Sequence, residues 1–217
     1  MNEIQYTLIT DGSSDSALIP ILTWALRENG DVKKVQSEWA DLRRLPEPPQ
    51  ALRDRILFAI DLFPCNLLFI HRDAEQQEPE TRCTEIHKAI NEAAKQGFNT
   101  PAVCVIPVRM TESWLLFNEP AIRFAAGNPN GRQKLELPEI TQIEGIPNPK
   151  EVLFDILRGA SGLTGRRLKK FNPGEARVRI SELISDFSPL RKLKAFQQLE
   201  KNISTLKQNN WQTDLLF

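Results

Sequence analysis

Two short segments are apolar almost without interruption: "NLLFIHR" (Asn66 to Arg72) and "PAVCVIPV" (Pro101 to Val108). A strand with one wet face alternates apolar and polar residues. A continuous apolar run of this length instead suits a strand buried on both faces, as in a parallel sheet covered by helices. "IQYTLIT" (Ile4 to Thr10), rich in β-branched and aromatic residues, reads as a third strand. "VKKVQSEW" is a weaker fourth candidate.

Between these runs the apolar period changes to that of a helix. Leu18, Leu22, Ala25 and Leu26 recur at helical spacing after "DGSSDS", with Pro20 in the opening turns and "ENGD" at the close. Leu52, Ile56, Ala59, Ile60 and Phe63 mark a second helix, and "EPETRCTEIHKAINEAAKQG" a third that ends at Gly97. "TESWLLFNEPAIRFAAG" predicts a fourth, with Thr111 as N-cap and Glu112 in its first turn. Strand and helix thus alternate, which predicts a parallel α/β sheet with helices on both faces over residues 1–127. Residues 128–149 are rich in Pro and Gly and predict an irregular connection. Residues 150–217 return to a helical pattern and predict a helical region packed on the first domain.

Of 217 residues, 41% are hydrophobic and 26% charged, and the apolar runs are too short to span a bilayer. The N-terminus lacks the pattern of a signal peptide, so the expectation is a cytoplasmic protein without a membrane partner. Cys65, Cys83 and Cys104 are scattered without C-x-x-C spacing, which predicts reduced thiols rather than a disulfide framework or a zinc site. Net charge is zero but unevenly spread. Residues 1–149 hold 15 Lys/Arg against 21 Asp/Glu, a balance of −6, and residues 150–217 hold 13 against 7, a balance of +6.

In parallel α/β sheets, sites form outside the carboxyl ends of the strands. Here those ends are acidic. Asp11 and Asp15 follow the first strand, Asp73 and Glu75 follow "LLFIHR", and Glu112 follows the strand ending at Val108. Neighbouring strands would bring these acids to one edge, where their repulsion favours a cation; oxygen donors suit Mg²⁺ or Mn²⁺. Asp73 and Glu75, two apart in extended chain, are expected on one side. Each acid also has a plainer role: an Asx-turn for Asp11, a helix cap for Asp15, loop surface for Glu75, dipole complementation for Glu112. His71 is a general acid/base candidate or a packed strand-end histidine. Arg72 and Arg109 would hold a phosphate or pair with local carboxylates. Arg166, Arg167, Lys169 and Lys170, in "RRLKK", would contact a phosphate backbone or form solvated surface. "TDGSSDS" lacks the G-K-[ST] ending of a phosphate loop, which argues against nucleotide hydrolysis.

Four segments, "LITDGSSDSALIPIL", "FIHRDAE", "VIPVRMTESWLLFNEPAIRFAAGNPNG" and "ASGLTGRRLKKF", together resemble a family of uncharacterised bacterial proteins in the Toprim-like superfamily, near the OLD-type nucleases. The resemblance covers nearly the whole chain. It implies a Toprim-like front part in which an acid after the first strand and a D-x-D pair after the third bind Mg²⁺ and support phosphodiester cleavage. By position those roles fall on Asp11 and on Asp73 with Glu75, which replace the superfamily's Glu and second Asp. It also implies DNA as substrate, a role in defence against phage or mobile DNA, and an ATPase partner protein. Two alternatives stay open: a non-catalytic nucleic-acid- or partner-binding module, and another metal-dependent phosphoryl-transfer or phosphatase activity.

Overall fold

The computed structural model describes residues 3–211, so positions 1–2 and the end of the expected basic region, 212–217, lie outside the described residues. Its centre is a four-stranded, wholly parallel sheet: β1 (Glu3–Ile9), β2 (Lys34–Trp39), β3 (Leu67–His71) and β4 (Ala102–Val105), in the order β2-β1-β3-β4. Tyr6 pairs with Leu67, and His71 with Val105. The runs read as strands in the sequence are the strands of the sheet. All five β3 residues are buried, whereas β2, on one edge, alternates exposed and half-buried.

The two-residue period of each strand divides the core into two layers. Ile4, Tyr6, Leu8, Leu67, Phe69, Val103 and Val105 face one side. There they meet α1 (Leu18–Gly30), α4 (Glu119–Ala125), α5 (Pro149–Ser161), α7 (Pro173–Glu182) and α8 (Lys194–Gln208). Ile9, Leu68, Ile70 and Cys104 face α2 (Leu52–Leu62) and α3 (Pro79–Ala94). The fold is therefore α/β with helices on both faces. α5, α7 and α8 share the core of the first face, where Trp114 packs edge-on against Phe196 of α8 at 5.4 Å between ring centroids. Among the described residues no helix is long and apolar enough to cross a membrane.

One expected helix is divided in two. Thr111 does not cap it: Met110 precedes a 3₁₀ turn, Thr111–Leu115, and α4 starts afresh at Glu119. Asn118 accepts a hydrogen bond from the Ala121 amide (2.9 Å), and Pro120 occupies the first turn of α4, where its missing N–H costs nothing. Residues 128–149 are irregular apart from a 3₁₀ turn, Ile140–Gly145. They are fastened to α5 by Asn128 and Gln133, whose side-chain amides donate to the Ala160 carbonyl, each at 2.9 Å. Between α5 and α7, the short helix α6 (Gly165–Lys170) has no buried residue.

Candidate active site

β1, β3 and β4 are neighbours, so the segments that follow them meet at one edge. The segments after β3 and β4 keep pairing beyond the strands. Arg72 N–H donates to the Val105 carbonyl (3.2 Å), Ala74 N–H to Pro107 (3.2 Å) and Glu75 N–H to Arg109 (2.7 Å). This fixes His71, Asp73, Thr111 and Glu112 beside one another.

Asp73 is the best-anchored acid. Its Oδ1 accepts the Thr111 N–H at 2.9 Å and the Thr111 hydroxyl at 3.3 Å, and lies 3.4 Å from His71 Nε2. Thr111 thus positions Asp73 instead of capping a helix. Asp73 is still 27% exposed, and Oδ2 is the oxygen left for a ligand. Asp11, 42% exposed, accepts from Arg55 through Oδ1 at 2.6 Å and from Arg72 through Oδ2 at 3.2 Å. Burial works against its charge, but the hydrogen bond and charge of Arg55, with Arg72 behind them, hold the carboxyl below its ordinary value. Asp15 is buried and takes the Gly12 N–H at 2.8 Å, so it does the capping work.

His71 is buried beneath these acids. Its Nδ1 donates to the Val105 carbonyl (3.0 Å), which turns Nε2 towards the Thr111 hydroxyl (3.2 Å), Asp73 and Asp15 (3.7 Å). From this place it positions Asp73. Burial disfavours the imidazolium, but the hydrogen bond and charge of Asp73, the charge of Asp15 and the Val105 carbonyl outweigh it, and the pKa is raised above the ordinary 6.5. A raised folded-state pKa gives stability that is fully present below 6.5 and fades as pH rises through the folded value. His71→Gln should therefore lower the melting temperature most at the acid end of a series from about pH 5 to about pH 8. A deficit independent of pH would show that the imidazolium adds nothing.

Two expected ligands, Glu75 and Glu112, pair with arginines of α3 and α7. Glu75 has φ of 55°, outside the extended region on which a shared side with Asp73 was expected. It is 61% exposed and pairs with Arg82 of α3 at 3.2 Å. Arg109, also at positive φ, donates to the Glu75 carbonyl at 3.1 Å. Glu112 is buried and ion-paired with Arg177 of α7. Arg72 spans Asp11 and Glu85, the latter at 2.6 Å, and Arg82 also reaches Glu85. Arg166, Arg167, Lys169 and Lys170 are exposed on α6, and among the described residues none of them forms an ion pair. Like-charge repulsion is therefore not the governing feature of this edge; most of its acids have guanidinium partners.

Four of these partners escaped the sequence reading: Arg55, Arg82, Glu85 and Arg177. The signals were weak but present. Arg55 precedes the buried Ile56, Arg177 follows the buried Ala176, and Arg82 and Glu85 share a helix face at i, i+3. Arg177 and Arg109 each keep a buried, unpartnered Nε–H among the described residues. Among the described residues the acids form no group of three with ligand atoms within 4.8 Å of one another; Cys83, His87 and Cys104 do. Comparison with family models, with curated proteins and with solved structures finds no match.

Proposed function

We propose that the carboxyl edge of the sheet is the active site of a divalent-metal-dependent nuclease acting on DNA phosphodiesters. One observation carries the reading: Asp11 and Asp73 follow adjacent parallel strands, remain partly exposed, and stand among the guanidiniums of Arg55, Arg72 and Arg177. Mg²⁺ and Mn²⁺ bind through one or two carboxylates and complete their shell with water and substrate phosphate, and Asp11 would exchange Arg55 or Arg72 for the ion. Asp73 Oδ2 and the Asp11 carboxylate would hold the ion. When bound, it supplies a Lewis acid for the phosphoryl oxygen and lowers the pKa of a water. The chain's own residues orient the rest. Thr111 and His71 fix Asp73, and Arg55, Arg72 and Arg177 offer donors to the phosphate. Of the arginine-paired acids the proposed ligand set keeps only Asp11, which directly follows the strand beside β3; Glu75 pairs with Arg82 of α3, and Glu112 is buried against Arg177. The resemblance to Toprim-like proteins supports the same reading. Its test is nicking of supercoiled plasmid by the purified chain in Mn²⁺ and in EDTA.

A second reading is favoured by the same arginines. Asp11 accepts two of them, as a site that binds phosphate without cutting it would also do. Binding of DNA that is unchanged by EDTA, without turnover, would select it.

The exposed face of α6 extends the nucleic-acid interface. Replacing Arg166, Arg167, Lys169 and Lys170 with Ala should weaken duplex binding and flatten its salt dependence, by about 0.9 in log–log slope for each phosphate no longer neutralised. Melting temperature should hold, because α6 buries no side chain. An unchanged slope would place DNA elsewhere.

A further inference from the structure

β4 is the outer strand of the sheet, and beside its free edge α3 and α8 flank a cleft of about 500 Å³. Cys83, His87 and Cys104 line that cleft. Cys83 and His87 are one turn apart on α3 and so share a face. Cys104 belongs to the β4 side chains that face the same helix. The two sulfurs are 3.9 Å apart, and His87 Nε2 lies 3.9 Å from Cys83 Sγ and 3.8 Å from Cys104 Sγ.

That triangle has the dimensions of one face of a zinc tetrahedron. Zn–S bonds of about 2.3 Å and Zn–N bonds of about 2.0–2.1 Å give tetrahedral edges of about 3.8 Å between sulfurs and about 3.6 Å between sulfur and nitrogen. A disulfide would need the sulfurs at about 2.05 Å, far inside the observed separation. Thiolate and imidazole donors select zinc over magnesium or manganese, so this cluster is chemically separate from the carboxylate edge and shares no residue with it.

We propose that Cys83, His87 and Cys104 form a zinc-binding site with three protein ligands and a fourth position open to the cleft. Three protein ligands and an open position is the arrangement of zinc sites that take water or a small molecule as fourth ligand. Glu80, one turn before Cys83, lines the same cleft. The site does not depend on the nuclease reading.

The reduced, metal-free full-length chain is titrated with Co²⁺ and then with Zn²⁺. One Co²⁺ per chain should produce the visible absorption of a tetrahedral thiolate site together with sulfur-to-cobalt charge transfer, and Zn²⁺ should abolish both. Cys83→Ser and His87→Asn, at half-buried positions, should each lower the affinity at least ~100-fold, more than the loss of an outer-shell partner alone. Their circular dichroism and melting temperature without metal confirm that they fold. Cys65→Ser should show the same Co²⁺ thiolate spectrum as wild type. A reduced wild type that gives no tetrahedral spectrum overturns the proposal, as does a Cys83→Ser spectrum identical to wild type.

Discussion

Asp73→Asn is expected to lower DNA nicking by at least ~100-fold while leaving the chain folded. A metal ion contributes several kcal/mol of transition-state stabilisation, and each ~1.4 kcal/mol is worth tenfold in rate. The substitution keeps an oxygen for the Thr111 N–H and removes the charge that faces His71. Repulsion among acids would have made the variant more stable without metal, but the neighbours of Asp73 include an imidazole, and Arg177 lies close enough to feel its charge. The expected result in EDTA is instead a loss of about 1.5–3 kcal/mol, the scale of one hydrogen bond to a charged group. Mn²⁺ at a hundred times its dissociation constant should stabilise wild type by about 2.7 kcal/mol and the variant by much less. Equal stabilisation of both by Mn²⁺ would remove Asp73 from the ligand set.

Arg177→Ala is expected to have the largest effect on stability. Glu112 and Arg177 are 7% and 12% exposed at the side chain and form their ion pair between the Thr111–Leu115 turn and α7. Removing one member of a buried pair leaves the other charged without a partner, which costs about 3–5 kcal/mol. For a chain of this size that is a fall of roughly 6–20 °C in melting temperature. Burial works against the charge of Arg177 and the negative charges of Asp15 and Asp73 support it, so the substitution also strips a cation from the proposed site. The companion variant Arg177→Met with Glu112→Leu removes both charges and should recover most of the stability without recovering activity. A single variant that loses less than about 1 kcal/mol, the range of an exposed pair, would mean that solvent reaches the pair.

The sheet was legible because its signals are local. "LLFIH" is apolar at every position, and burial on both faces is the usual setting for such a strand. The alternation of strands with helices then places Asp11, Asp73 and Glu112 after strand ends, and the order β2-β1-β3-β4 brings those ends together. What stayed hidden depends on backbone detail or on distant chain. The positive φ of Glu75 breaks the extended spacing that would have aligned it with Asp73, and nothing in "DAEQQ" announces it. Asn118 and Pro120 signal a helix start, but "TESWLLF" before them carries enough helical character to mask it. Arg177 reaches Glu112 from a helix 65 residues later, a distance that no local pattern encodes. The scattered spacing of Cys83 and Cys104 argued against zinc, although Cys83 and His87 at i, i+4 on a helix place two metal-binding types of side chain on one face.

The most direct measurement is plasmid nicking by the purified wild-type chain in Mn²⁺ and in EDTA, with Asp73→Asn in parallel and a melting curve for each condition. The expected result is open-circular DNA that accumulates only with wild type and Mn²⁺, together with a melting temperature that Mn²⁺ raises in wild type and not in Asp73→Asn. Supercoiled DNA left intact in Mn²⁺, with a wild-type melting temperature that Mn²⁺ does not move, would contradict it.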